Sequence, residues 1–295
     1  MPDMTATLRI LEPQPGIFAY YDGRIAGKRL HDAAPNWLDD GAYSLGVASY
    51  ALVEGDEALV YDTHISLDHA RAIRAHLEGV GVKQIRVVLS HWHKDHIAGN
   101  AVFADCEIIA LKLTAERMAK NRAKIETANP PINPVVMPAT TFENRLELTL
   151  GSRRVELHHF AIHSADGNVI WLPEEKLLLA GDTLEDTVTY ISEAGEIATH
   201  QAELARMQTW PIEKILPAHG DPDRIASGGY DASLIDANLA YLEAMTAAAA
   251  CGQEIDPSLK AFVGEEIARG SVIYFGPYEA VHANNIAAVK TAAKG

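Results

Sequence analysis

The chain has 295 residues, 48% hydrophobic and 22% charged, the balance of a globular protein long enough to bury a core without disulfides. A formal net charge of −15 argues against a nucleic-acid backbone or an anionic membrane as a partner. Two cysteines, Cys106 and Cys251, form no CxxC pair, so thiolate zinc knuckles and redox dithiols are excluded, and both read as small core residues. The opening MPDMTATLRI lacks the apolar core of a signal peptide, and no window approaches ~18 uninterrupted apolar residues, so a cytoplasmic location is expected.

In chain order, GIFAYYDGRI alternates apolar and polar residues around a DG turn and predicts a β-hairpin. VASYALVEGDEALVYDT reads as strand, EGDE turn and strand, ending at Asp62. SLDHARAIRAHLEGVG has helical periodicity and ends in glycines. QIRVVLS and EIIAL are short buried strands. From Thr114 to Lys124 the pattern predicts one amphipathic helix. ANPPINPVVMP follows, where Pro130, Pro131, Pro134 and Pro138 forbid regular structure. RLELTLG pairs with RRVELHHFAI, and NVIWLP with KLLLAGD, as two further hairpins. HQAELARMQTW is a helix, KILPAHG a strand, and the chain from about Ser233 is largely helical. Strands in two batches, each followed by helices, indicate a single α/β domain over residues 1–295. Within it, 114–140 is expected to cover the pocket as an insertion, and 233–295 to form a helical C-terminal extension. The pocket walls are expected from the N-terminal hairpin, this insertion and the C-terminal helices.

SHWHKDHIAGN carries the chemistry. His91, His93, Asp95 and His96 fall within six positions, directly after a buried strand, where α/β proteins place reacting groups. His91 and His93 can aim at one ion, and Asp95 and His96 at a second nearby. Imidazole and carboxylate donors suit zinc, manganese or iron.

HWHKDH resembles the HxHxDH motif of the metallo-β-lactamase superfamily. Asp62 in VYDT, His163 in AIHSADGNVIWLP, Asp182 in LLLAGDTL and His219 in ILPAHGD are similar to that family's other motifs, in the same order. The resemblance spans about residues 45 to 222. It implies a four-layer αββα sandwich and a pair of metal ions, expected to be zinc. One ion would bind His91, His93 and His163, the other Asp95, His96 and His219, with Asp182 bridging them. Asp62 would steady the metal loop through hydrogen bonds without ligating. The expected reaction is hydrolysis of a small-molecule lactone, lactam, ester or thioester. A hydroxide held between the ions would be the nucleophile, and Asp95 would also carry a proton. Several true lactamases carry cysteine where this chain has Asp182, which favours the wider group of hydrolases. Alternatives on the same ligand frame are an iron-dependent oxidase or sulfur dioxygenase, a phosphodiesterase, and a non-catalytic metal-binding module.

Tyr190 and His200 are possible pocket residues. His64 is either a support of the metal loop or a surface side chain. His158 and His159, adjacent on a strand, face opposite ways and are expected to be structural. His31, His69, His76 and His282 are expected to be solvated. Lys94 is expected to be exposed, where it could attract an acidic group of a substrate. Trp92 is expected to pack beneath the loop.

Overall fold

Side-chain alternation decides the layers. In the strand EALVY, Leu59 and Tyr61 join one apolar cluster and Ala58 and Val60 another, and all four are buried. A strand covered on both faces must lie between two layers.

The computed structural model describes residues 4–293; Met1–Asp3 and Lys294–Gly295 lie outside the described residues. Its first sheet contains β1 (Arg9–Gln14), β2 (Ile17–Asp22), β3 (Val47–Glu54), β4 (Glu57–Tyr61), β5 (Gln84–Val88), β6 (Glu107–Leu111) and β7 (Thr140–Phe142), in sequential order. Pairs up to β3–β4 are antiparallel, and those from β4 to β7 are parallel. The second sheet contains β8 (Arg145–Leu150), β9 (Arg153–His159), β10 (Asn168–Leu172), β11 (Leu177–Gly181) and β12 (Lys214–Pro217), ordered β12-β11-β10-β9-β8. Only its β11–β12 pair is parallel.

The helices are α1 (Leu67–Gly79), α2 (Lys94–Ile97), α3 (Lys112–Lys120), α4 (Arg122–Glu126), α5 (Ile197–Met207), α6 (Pro222–Ala226), α7 (Ser233–Ala250), α8 (Leu259–Phe262), α9 (Gly264–Arg269) and α10 (Tyr278–Ala292). Ser66 caps α1 by accepting from His69 N–H, and Ala70, Ile73 and Leu77 repeat on its buried face. With Met118 and Ile125 they cover the outer face of the first sheet. All residues of β10 and β11 are buried, and the cluster containing them also holds Leu204 and Met207 of α5 and Leu234 and Leu242 of α7. The architecture is the four-layer αββα sandwich.

Three buried tyrosines pin the sheets together at the end where the motifs gather. The hydroxyls of Tyr21, Tyr50 and Tyr61 donate to the carbonyls of Gly220 (2.9 Å), Pro217 (2.6 Å) and Asn168 (2.5 Å). Each hydroxyl thereby satisfies a backbone acceptor that has no water to turn to.

Several local expectations are corrected. The first hairpin turns at Pro15–Gly16, and the DG pair instead terminates β2 at Asp22. The helix expected from Thr114 to Lys124 is broken at Asn121 into α3 and α4. Cys251 is exposed beyond the end of α7 and Cys106 is half-buried, so neither is a core residue. His69 and His282 are buried, because each has partners at both ring nitrogens: Ser66 and Asp22 for His69, Tyr241 and the Asp256 carbonyl for His282. His76 is half-buried, its Nδ1 2.9 Å from the Tyr20 hydroxyl, whereas His31 is exposed.

Candidate metal centre

β5 runs out at Val88, and the next three residues bring His91 to the mouth of the sandwich. Asp62, just after the neighbouring β4, fixes this exit. Its Oδ1 accepts from Ser90 N–H at 2.6 Å and its Oδ2 lies 2.8 Å from His96 Nδ1. His96 Nε2 is thereby turned toward the centre. Asn168, at the start of β10, holds the same loop by donating to the carbonyls of Leu89 and Ser90. β11 ends at Gly181, which has φ +53° and whose added Cβ would lie 2.9 Å from Ser90 Cβ and 2.9 Å from the Tyr61 hydroxyl. Glycine is therefore required for Asp182 to reach the loop. Asp62, His64 and His163 also adopt left-handed backbone, φ 67°, 69° and 64°. Non-glycine residues accept this conformation where surrounding bonds over-determine it.

The structure brings the seven expected donors together in two groups: His91, His93, His163 and Asp182, and Asp95, His96, His219 and Asp182. In the first, His93 Nδ1 lies 2.9 Å from His91 Nε2 and 3.0 Å from His163 Nε2, and Asp182 Oδ2 lies 3.6 and 3.5 Å from those Nε2 atoms. In the second, Asp95 Oδ2 lies 3.5 Å from His96 Nε2 and 3.4 Å from His219 Nε2. Asp182 reaches the same nitrogens through Oδ2 at 3.2 Å and Oδ1 at 3.5 Å.

These spacings fit a cation better than a hydrogen-bond network. One imidazole nitrogen has one proton or one lone pair, so His93 Nδ1 cannot serve two partners at once. Donors at tetrahedral zinc bond lengths sit about 3.3 Å apart, the scale found here. Asp182 Oδ1 is buried without a hydrogen-bond partner. The outer nitrogens, in contrast, are anchored: His91 Nδ1 to the Ser90 hydroxyl, His163 Nδ1 to the Tyr190 carbonyl at 3.1 Å, and His219 Nδ1 to the Gly46 carbonyl at 2.5 Å. Such anchoring fixes ring orientation toward an ion.

The electrostatics divide the site. Burial holds His91 well below the ordinary imidazole range and His93 down to about 3, aided by neighbouring imidazoles. Burial opposes charging His96 and His219 too, but the carboxylates around them, above all Asp182, raise both well above it. Burial likewise works against ionising Asp95 and Asp182, yet His96 and His219 keep both well below the usual carboxylate range. A pair of carboxylates, Asp182 buried and Asp95 mostly so, that draws protons onto its imidazoles is a pair that would draw a cation.

Above the donors lies a cleft of about 350 Å³. Its walls are Trp37 and the helical turn Leu38–Tyr43 with Ser44 and Leu45 on one side, and Pro277, Ala280, Val281 and Asn284 at α10 on the other. Tyr190 lines it; His200 does not, being buried behind, where burial pushes it down to about 4. Neither the N-terminal hairpin nor any residue of 114–140 is among the lining residues; only the C-terminal helices are, of the three walls expected. The proline segment acts one residue removed, its Pro130 carbonyl accepting from Trp37 Nε1 at 2.8 Å. A loop held by its own backbone cannot be placed from composition alone. His64 is buried rather than on the surface, stacked on His69. His158 and His159 bond Glu156 and the Ala165 carbonyl. Trp92 packs partly buried against the first-sheet cluster, and Lys94 is half-buried at the cleft.

Sequence reading missed four supports. Glu185 accepts from Tyr190 N–H and the Tyr278 hydroxyl and lies 3.4 Å from His163 Nδ1. Asp166 accepts from Trp92 N–H and the Ser164 hydroxyl. Asn168 and Trp37 complete the set. Glu185, Asp166 and Asn168 sit within five residues of a donor histidine or aspartate, the signal that could have found them; Trp37 had none.

The family model for the metallo-beta-lactamase superfamily matches residues 43–219, more than half of the chain. A Caenorhabditis elegans beta-lactamase-like protein 2 homolog is 22% identical over 199 residues, covering 65% of this chain and 63% of its own length. A linear primary-alkylsulfatase of Pseudomonas sp. (strain ATCC 19151) is 21% identical over 216 residues, covering 58% of this chain and 41% of its own. The chain thus spans less than two thirds of the length of either relative. Among solved structures, the metallo-beta-lactamase from Pontibacter korlensis superposes with TM-score 0.62 at 17% identity, covering 80% of this chain and 99% of that one. VMB-1 gives 0.61 at 18%, covering 81% and 97%. These structures share the fold, and the lactamases proper are distant. With the family match spanning every donor from His91 to His219, the chain belongs to the metallo-beta-lactamase superfamily.

Proposed function

We propose that the protein is a binuclear metal-dependent hydrolase of small carbonyl substrates: lactones, lactams, esters or thioesters. The observation that carries this reading is that two four-donor groups share one carboxylate, Asp182, at the foot of an open cleft. His91, His93 and His163 would hold one ion, and Asp95, His96 and His219 the other. Divalent ions bound there, with zinc the best match to these donors, would supply Lewis-acid polarisation and a nucleophilic water at neutral pH.

The chain's own residues supply the rest. Asp95 is 17% exposed against 5% for Asp182, so it faces the cleft and can accept a proton there and deliver it to the leaving group. Tyr190 and Trp37 flank the space a substrate would fill, and α10 shields it from water on the far side. Asp62 keeps His96 in one orientation.

The test is metal analysis of the purified protein with a substrate screen. About two zinc equivalents per chain, activity lost on chelation and recovered with zinc, and turnover of a lactone, cephalosporin or thioester are expected. Phosphodiesters and alkyl sulfates belong in the same screen, the latter because one relative is an alkylsulfatase. A protein that binds two zinc ions but turns over none of the carbonyl substrates would refute the proposal.

A further inference from the structure

Among the residues lining the cleft, Lys94 is the only lysine or arginine. The acids around it are already engaged. Asp95 and Asp182 belong to the donor groups, Asp40 pairs with Arg29, and Glu185 accepts from Tyr190 N–H and the Tyr278 hydroxyl. Lys94 forms no ion pair among the described residues. Its ammonium instead lies 5.8 Å from the centroid of the Trp37 ring. Trp37 is held in place by the Pro130 carbonyl at 2.8 Å. A half-buried lysine without a carboxylate partner is unusual in a chain of net charge −15. Its stem starts between His93 and Asp95, one residue from each donor group, and its head lies beside the Trp37 wall of the cleft. An anion seated there would lie beside the donors without displacing them. The indole would cover the carbon chain joining that anion to the scissile bond.

We propose that Lys94 and Trp37 form an anion subsite, so that the substrate is an ester, lactone or thioester carrying a carboxylate or sulfonate-type group a few bonds from the bond cleaved. This rests on the hydrolase reading above. The competing account is that Lys94 merely offsets the carboxylates of the donor groups, in which case the charge of the substrate is irrelevant.

The experiment uses zinc-loaded protein and p-nitrophenyl esters of one six-carbon acyl chain ending in a carboxylate, a sulfonate or a carboxamide. The wild type is expected to favour the anions over the carboxamide by about tenfold in kcat/KM, mostly through KM, the scale of one charge-assisted hydrogen bond. Lys94→Ala should abolish the ratio, Lys94→Glu reverse it and Lys94→Arg retain it. Carboxylate against sulfonate then tells which anion the subsite prefers. A ratio that survives in Lys94→Ala and Lys94→Glu overturns the proposal. If no ester is hydrolysed, the substrate screen above decides the hydrolase reading separately, and calorimetry with adipate and hexanoate decides the subsite. Tighter adipate binding in the wild type but not in Lys94→Ala supports it, and equal binding of the two acids to the wild type overturns it.

Discussion

Asp182 is the residue on which both donor groups depend. Its Oδ1 is buried with no hydrogen-bond partner, and its two oxygens reach four imidazole nitrogens. Asp182→Ala should lower bound zinc from about two ions per chain toward one, and cut hydrolysis sharply. The fold should survive, since the apolar clusters do not include this side chain. Two ions bound with wild-type affinity in the Ala variant would show that the carboxylate bridges nothing. His64 makes a different kind of prediction. Its Nε2 donates to the Tyr20 carbonyl at 3.1 Å and its Nδ1 accepts from Ile65 N–H, so the ring is locked neutral. Burial, with His69 beside it, depresses its pKa well below 6.5. A depressed base contributes stability that is complete above the unfolded value and is lost as pH falls below it. His64→Gln should therefore be less stable than wild type at pH 8 but lose less on acidification. The difference is at most about 1.4 kcal/mol per pH unit below ~6.5, the contribution of one proton. Urea midpoints from pH 8 to 5 check this, and parallel curves would mean that His64 takes up its proton without unfolding.

Among the elements, the inner face of the first sheet positions the second donor group. Tyr50 on β3 donates to the carbonyl of Pro217, where β12 ends two residues before His219. Tyr50→Phe leaves that buried acceptor unsatisfied, and should cost about 1–3 kcal/mol of stability by chemical denaturation. It should also weaken zinc binding at the group containing His219 more than at the group containing His91, since Pro217 leads only to the former. Equal weakening of both would show that the bond serves stability alone. The proline segment shows a different division of labour. It lines a separate small cavity with Met4 and Ile65 and reaches the cleft only by holding Trp37.

At the scale of the whole molecule, two sheets, a helical turn and α10 converge on one end of the sandwich, and the donors come from both sheets. Metal should therefore join the two halves. Zinc that binds the folded chain and not the unfolded one adds about 2.7 kcal/mol when free metal is a hundredfold above Kd. Melting should rise by several degrees with zinc and fall after chelation, with both sheets unfolding in one transition. No shift on chelation would mean that the donor ends of the sheets are held without an ion. No helix among the described residues is long and apolar enough to cross a membrane.

How much of this was legible in the chain follows from the range of each interaction. The strands, the turns at Gly55 and Gly151 and the face of α1 are set by neighbours two to four residues away, so periodicity reveals them. The donors were legible because ligand chemistry restricts residue types, and His91 to His96 occupy one loop. His163, Asp182 and His219 needed the family resemblance to join them. The first hairpin's turn was misplaced because Pro15–Gly16 and Asp22–Gly23 are equally good turn formers, and only pairing to β3 selects between them. The tyrosine pins, the burial of His69 and His282, the Trp37 wall of the cleft and the unpaired Lys94 could not be read, since each depends on groups dozens of residues apart meeting in space. Sequence alone therefore determined most of the elements and the donor types gathered in the His91–His96 loop. The tertiary structure decided which side chains share that centre's environment, because burial, desolvation and hydrogen-bond satisfaction are properties of contacts between elements and not of any one segment.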